Sequence, residues 1–166
     1  LEGYQVWRSS VEGELPYRWE KIIDRGAYRG ANNQCVLSMY SFKGALYVGS
    51  GIQGGGVDRQ NKVGPAPPEL IRIHPDGRWD LIVGEARDTP DGRKEPLSGH
   101  LPGFDNFFNG YFWRMCEHQG WLYLGTFKWS ALYSSIEAWP HERTKRSRFN
   151  QFGSAGLNHR KRSHSV

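Results

Sequence analysis

The chain has 166 residues, enough for one ordinary domain, with 37% apolar and 14% aromatic residues, 21 Gly and 9 Pro. That mix favours many short strands parted by turns over long helices, and no apolar run approaches the roughly 18 residues of a membrane-spanning helix. The formal charge of +5 belongs to the tail: His141 to Val166 carries seven Lys or Arg against one acid, Glu142, leaving 15 basic and 16 acidic residues before it. The basic balance is therefore no argument for nucleic-acid binding by the rest of the chain.

In chain order, residues 4–9 and 18–23 are the first two short runs of aromatic and β-branched residues bounded by Gly, Ser or Asp, the local chemistry of strands. Residues 35–42 and 45–50 follow, joined by the turn dipeptide Lys43-Gly44. Next come 69–74 and 78–83, joined by Pro75-Asp76-Gly77, and then 111–118 and 121–126, joined by Gln119-Gly120. A further run lies near 131–135.

Internal similarity orders these runs. Asn33 to Ser50 (NQCVLSMYSFKGALYVGS) aligns without a gap to Asn109 to Thr126 (NGYFWRMCEHQGWLYLGT) at an offset of 76. Asn33, Met39, Gly44, Leu46, Tyr47 and Gly49 match Asn109, Met115, Gly120, Leu122, Tyr123 and Gly125. Val6-Trp7-Arg8 corresponds to Leu70-Ile71-Arg72 at an offset of 64, and Trp19 to Ile23 corresponds to Trp79 to Val83 at 60. Four strand types thus recur in fixed order while the loops vary in length. Repeated four-stranded antiparallel meanders are the pattern of a β-propeller. The expectation is an all-β fragment of one, an incomplete ring: residues 1–136 as half a blade, one full blade and half a blade, and residues 137–166 as a basic, disordered tail.

Particular motifs carry a resemblance. Gly44-Ala45-Leu46-Tyr47-Val48-Gly49 and Gly120-Trp121-Leu122-Tyr123-Leu124-Gly125 resemble the G-x-LYVGT repeat of bacterial β-propeller proteins. Glu69 to Trp79 (ELIRIHPDGRW) resembles the Asp-box hairpin of sialidase-like propellers, with Asp76, Gly77 and Trp79 on its Asp, Gly and aromatic positions and His74 where Ser or Thr usually opens it. In the earlier copy Ser9 and Ser10 are present, but the Asp-x-Gly element gives way to Val11-Glu12-Gly13-Glu14. The resemblance spans about residues 4–133. It implies that Asp76, Gly77 and Trp79 form a structural turn, that the protein is secreted or periplasmic, and that remaining blades or self-association close the ring. No charged-then-apolar leader opens the sequence, so no signal peptide is expected in it.

Strand order alone says where function would sit. Successive turns of a meander alternate between its two ends, so the short turns at 43–44, 75–77 and 119–120 share one end and the long segments 24–34, 51–68 and 84–110 share the other. Long loops gathered on a rigid scaffold are where binding concentrates. Asp105, Asn106, Asn109, Tyr111, Trp113 and Arg114 are the candidate ligand residues, because aromatics beside amides and a carboxylate suit a sugar or another polar ligand. The competing reading makes the asparagines turn caps, favoured by the recurrence of Asn at 33 and 109.

Other motifs carry less. Gly49 to Gly54 fits G-x-G-x-x-G, but Gly55, Gly56, Pro65, Pro67 and Pro68 follow in place of the helix a dinucleotide site needs, so no nucleotide is expected. Asp88, Asp91 and Glu95 are read as a solvated loop opposed by Arg87, Arg93 and Lys94, not a calcium site. The six His have no zinc spacing and no G-x-S-x-G elbow is present. No cofactor, metal or catalytic residue is assigned. Cys35 and Cys116 are read as small buried apolar side chains, with a disulfide left open. The leading expectation is a non-catalytic module that binds a carbohydrate or protein. The alternatives are a fragment of a glycan-acting propeller enzyme, and a truncated product without a function of its own.

Overall fold

The computed structural model describes residues 2–128. It is all-β, with antiparallel sheets and no closed barrel. The run near 131–135 and the basic tail lie outside the described residues.

The strands are β1 (Val6–Arg8), β2 (Glu20–Ile23), β3 (Cys35–Phe42), β4 (Ala45–Gly51), β5 (Leu70–Ile73), β6 (Trp79–Val83), β7 (Arg87–Thr89), β8 (Gly92–Lys94), β9 (Asn109–His118) and β10 (Trp121–Lys128). β3, β4, β5 and β6 pair consecutively as one antiparallel meander. β1 and β2 form a separate antiparallel pair, and β9–β10 is a hairpin whose β9 pairs with β4 at a single position, Gly51 with Tyr111.

Turn chemistry explains the hairpins. Lys43 and Gly44 have φ of 47° and 76°, and Gln119 and Gly120 have 51° and 79°. Two successive left-handed residues make the turn whose twist suits a two-residue hairpin, and Gly takes the second position without steric cost. At Pro75-Asp76-Gly77, His74 N–H donates to Arg78 O at 2.8 Å and Gly77 N–H to His74 O at 2.9 Å. Asp76 Oδ1 accepts Arg78 N–H at 3.0 Å.

The pairing registers of corresponding hairpins coincide. Val36 faces Ser50 and Ser38 faces Gly49, which leaves Leu37 as an extra residue; 76 positions on, Phe112 faces Thr126 and Arg114 faces Gly125, which leaves Trp113. In the β1–β2 pair Val6 faces Ile23 and Trp7 faces Lys21; in β5–β6 Leu70 faces Val83 and Ile71 faces Leu81, again with one residue skipped. A bulge shifts the alternation by one residue, so Phe112 and Met115, an odd number of residues apart, pack into the same cluster.

Two cores follow, one on each face of the meander. Val48, Ile71, Ile73, Trp79 and Leu81 pack with Tyr4, Val6, Ile23 and Ala27 from the β1–β2 side. Leu70 and Val83 pack with Phe112, flanked by Tyr47, Met115 and Leu124, on the β9–β10 side. The meander is thus enclosed between the two smaller hairpins. The described residues also carry three elements that periodicity did not suggest: the hairpin β7–β8 within segment 84–110, a 3-10 turn at Gly30–Asn33, and a single helical turn, Arg25–Tyr28. That turn is left-handed, with φ of 49°, 59°, 54° and 65° along its four residues.

Candidate functional site

The three long segments meet at one end of the molecule, and direct hydrogen bonds join them. Arg29 Nη1 donates to Pro67 O at 2.8 Å, Arg87 Nε to Ala27 O at 2.8 Å, and Gly103 N–H to Pro68 O at 2.8 Å. Gln34 Nε2 donates to Asp58 Oδ2 at 2.6 Å, while its Oε1 accepts Gln53 N–H at 3.0 Å.

At the centre of this layer lies Glu69, 1% exposed. Its Oε1 accepts Arg87 Nη1 at 2.9 Å and Glu85 N–H at 2.8 Å, and its Oε2 accepts Arg87 Nη2 and Asn33 Nδ2, each at 2.8 Å. Two parallel bonds from one guanidinium are the strong form of this contact. Asn33 also donates to Gly26 O at 2.8 Å, and its Oδ1 accepts Ser50 Oγ–H at 2.8 Å. Ser50 Oγ in turn accepts Glu69 N–H at 2.9 Å. The left-handed turn at 25–28 presents the carbonyls of Gly26 and Ala27 to Asn33 and Arg87.

Arg29 completes the group, its Nε 3.4 Å from Glu69 Oε1 and without a hydrogen-bond partner among the described residues. Burial pushes its guanidinium down from the usual range, against the upward pull of Glu69. Burial, and then the charge of Glu69, push the Tyr4 hydroxyl well up. A buried ionic cluster of this kind holds loops in one arrangement; breaking it leaves charges stranded.

Four of the six candidate ligand residues spend polar atoms on holding these loops. Asp105 accepts Leu101 N–H at 2.8 Å and pairs with His100 Nδ1 at 2.5 Å, and these contacts, the His100 bond first, lower its pKa. Asn106 Oδ1 accepts Phe108 N–H at 3.0 Å, and the buried Asn109 donates to Gly103 O at 2.8 Å. The Tyr111 hydroxyl accepts Gly55 N–H, and its ring stacks on Phe127 at 5.2 Å between centroids. Trp113 and Arg114 are exposed on β9. The Trp113 ring lies 5.3 Å from that of Tyr111 and 5.8 Å from that of Phe127, the three forming one aromatic group.

The remaining motifs lie as follows. No helix follows Gly54; Gly54, Gly55 and Gly56 have φ of 81°, 82° and 93° in a run of turns. Arg93 pairs with Glu95 at 2.6 Å and Asp88 at 3.4 Å, and Asp91 accepts Trp79 Nε1–H at 3.3 Å. No cluster of three or more His, Cys, Asp or Glu suited to a metal occurs among the described residues. Both cysteines are free, and Cys116 is exposed, which corrects the expectation that both thiols are buried. β9 is buried over Asn109–Phe112 and exposed over most of the remainder, where Cys116 lies. Cys35 is part-buried and donates to Gly51 O at 3.2 Å; burial pushes its thiol up.

Sequence reading passed over the Glu69 cluster. The signal available was a charged residue directly before the apolar pair Leu70-Ile71, whose charge, once buried, needs a partner. Set against protein-family models, curated proteins and solved structures, the chain matches none of them.

Proposed function

We propose that the chain is part of a β-propeller that works as a non-catalytic binding module, taking a carbohydrate at the long-loop end, next to the aromatic group of β9. The propeller reading is supported by the coincident registers of corresponding hairpins and by the enclosure of the four-stranded meander between two hairpins of matching kind. The observation that carries the binding reading is the joining of all three long segments into one hydrogen-bonded layer around Glu69. Such a layer presents its outward side chains in fixed positions, which lowers the ordering cost of recognition.

Trp113 offers an exposed indole face beside Arg114, an apolar plate next to a cation of the sort that stacks and hydrogen-bonds a sugar ring. The Tyr111 ring lies against it, and Asp105, Asn106 and Asn109 hold the loop that leads into β9. Their engagement speaks for scaffolding roles and against a glycan-hydrolysing one for Asp105 and Tyr111. The test is a glycan array probed with the 166-residue chain, with Trp113→Ala and Arg114→Ala beside it. We expect retention on a subset of glycans and its loss, tenfold or more (about 1.4 kcal/mol), in Trp113→Ala with the circular dichroism unchanged. A blank array overturns the carbohydrate reading; capture of a protein in a parallel pull-down, with the array blank, replaces it with a protein ligand.

A further inference from the structure

Within the long-loop layer, residues 96–108 contain no Lys or Arg and one acid, Asp105. Its carboxylate is taken by His100 Nδ1 at 2.5 Å. Three large apolar side chains of this stretch stand in solvent: Leu97 is 63%, Leu101 58% and Phe104 38% exposed. Single exposed apolar residues are common and need no cause. Several on one short segment point to a surface that covers them.

The backbone of the segment is prepared for burial. From Leu97 to Asn106 every N–H except that of Phe104 has an acceptor among the described residues. Leu97 and Ser98 donate to Leu81 O and Ile82 O along the edge of β6, at 2.9 and 3.1 Å, and Gly103 donates to Pro68 O at 2.8 Å. His100 N–H donates to Ser98 Oγ at 3.2 Å and Leu101 N–H to Asp105 Oδ1 at 2.8 Å. Phe104 and Asp105 have φ of 55° and 60°, a conformation that bulky side chains rarely adopt. The bonds of Asp105 to His100 and Leu101 hold the turn there, with the Phe104 ring 5.6 Å from that of His100. A loop whose amides depend on water resists leaving it; this one has almost none to strand.

The second observation is one of charge. From His141 onward the chain carries seven Lys or Arg against one acid, four of them between Arg143 and Arg148 and three at Arg160-Lys161-Arg162. Apolar insertion or a basic run alone gives only weak, reversible attachment to a bilayer, and the two together give stable attachment. A nucleic acid would meet the cations and leave Leu97 and Leu101 in water. An apolar groove on a protein would take the leucines and leave the cations unmet. An anionic bilayer surface offers headgroup charge and apolar depth in one plane.

We propose that the chain binds the surface of an anionic lipid bilayer, with Leu97, Leu101 and Phe104 inserted among the headgroups and the Lys and Arg residues of 143–162 meeting their negative charge. The proposal is independent of the carbohydrate reading; glycan retention and vesicle binding are separate measurements, and either can fail alone.

The experiment floats the 166-residue chain with vesicles of phosphatidylcholine alone and of phosphatidylcholine mixed with phosphatidylglycerol, at physiological ionic strength. Binding to the mixed vesicles is expected to exceed binding to the neutral ones tenfold or more. Leu97→Ser with Leu101→Ser, at sites more than half exposed, is expected to lower it tenfold or more with circular dichroism unchanged. Arg160→Gln, Lys161→Gln and Arg162→Gln together are expected to lower it likewise. Equal binding to both vesicle types, or binding to neither, overturns the proposal. So does a double-serine chain that binds as the parent does, because a basic run acting alone would bind duplex DNA as well. A second measurement needs no substitution: a nitroxide-labelled lipid in the mixed vesicles broadens the amide resonances of residues 97–106 more than those of the turns at 43–44 and 119–120. Uniform broadening overturns the insertion of this segment.

Discussion

The hairpins β3–β4 and β9–β10 have one register, one bulge and one turn chemistry between them, and they live in different surroundings. The first lies between two other sheets; among the described residues the second has a neighbour on one side only. The glycines record the difference. A Cβ on Gly49 would stand 2.7 Å from Ser38 Oγ and 2.8 Å from Phe112 Cβ, whereas on the corresponding Gly125 the nearest such atom is Arg114 O at 3.8 Å. Gly51 leaves room for the Tyr111 ring, and the same position of the outer hairpin holds Phe127. A hairpin's shape is set by its own residues, and what its side chains experience is set by what is stacked on it.

Paired substitutions, one in the meander and one at the matching flanking position, test this contrast. The largest effect falls at Glu69. Glu69→Gln strands Arg87 and Arg29 in a buried site and lowers the unfolding free energy by about 3–5 kcal/mol, while Gln5→Ala, at the corresponding exposed position, changes it by less than ~0.5 kcal/mol. Urea titration reads both, and equal effects would break the comparison.

Close behind is Trp79→Ala, which empties a buried site at a cost of about 3–5 kcal/mol. Trp19→Ala, at the corresponding exposed position, stays within ~0.5 kcal/mol in dilute protein. A large loss for Trp19→Ala in dilute protein would mean that the β1–β2 hairpin is already enclosed within one chain.

Smaller again is the glycine pair. Gly49→Ala forces Ser38 and Phe112 apart and destabilises by about 1–3 kcal/mol. Gly125→Ala makes an ordinary contact with Arg114 O and stabilises by about 0.5 kcal/mol, since an interior strand Gly costs conformational entropy. Thermal unfolding midpoints moving in opposite directions are the expected result.

The smallest effect is the acid limb of stability. Burial pushes the Asp80 carboxyl up, but hydrogen bonds from Arg72 at 2.6 Å and His74 at 2.7 Å outweigh it and hold the pKa below the ordinary 3.8. A depressed carboxyl pKa means the unfolded chain binds the proton first. The stabilisation is therefore complete above about pH 4 to 5 and fades as pH falls through the folded-state pKa. Asp80→Asn should flatten the decline of stability between about pH 5 and pH 2. An unchanged slope would show that Arg72 and His74 gain nothing from the charge.

Much of the strand framework was legible because it is local. Lys43-Gly44 and Gln119-Gly120 name their own turns, and the alternation around Leu46 and Leu122 names strands within a residue or two of β4 and β10. The offset of 76 survives even in the position of the bulge. The loop layer was not legible. Arg29 with Asn33, Ser50, Glu69 and Arg87 come from four separate stretches, so no window of sequence contains the cluster. β7–β8 was missed because Pro90-Asp91-Gly92 reads equally as a hairpin turn or as a solvated loop, and only the packing of Asp91 and Lys94 on Trp79 selects the hairpin. For the candidate ligand residues the pattern along the chain names no partners; an Asn that caps a turn and one that meets a ligand are the same residue until the acceptor's position is known.

The sequence by itself determined the order of the strands, their turns, and the end of the molecule at which the long segments gather, since these follow from alternation and turn chemistry along the chain. Only the tertiary structure decided which of two matching residues is buried and where the charge of Glu69 is met. Burial and ion pairing depend on distances between segments far apart in sequence, and no local pattern encodes them.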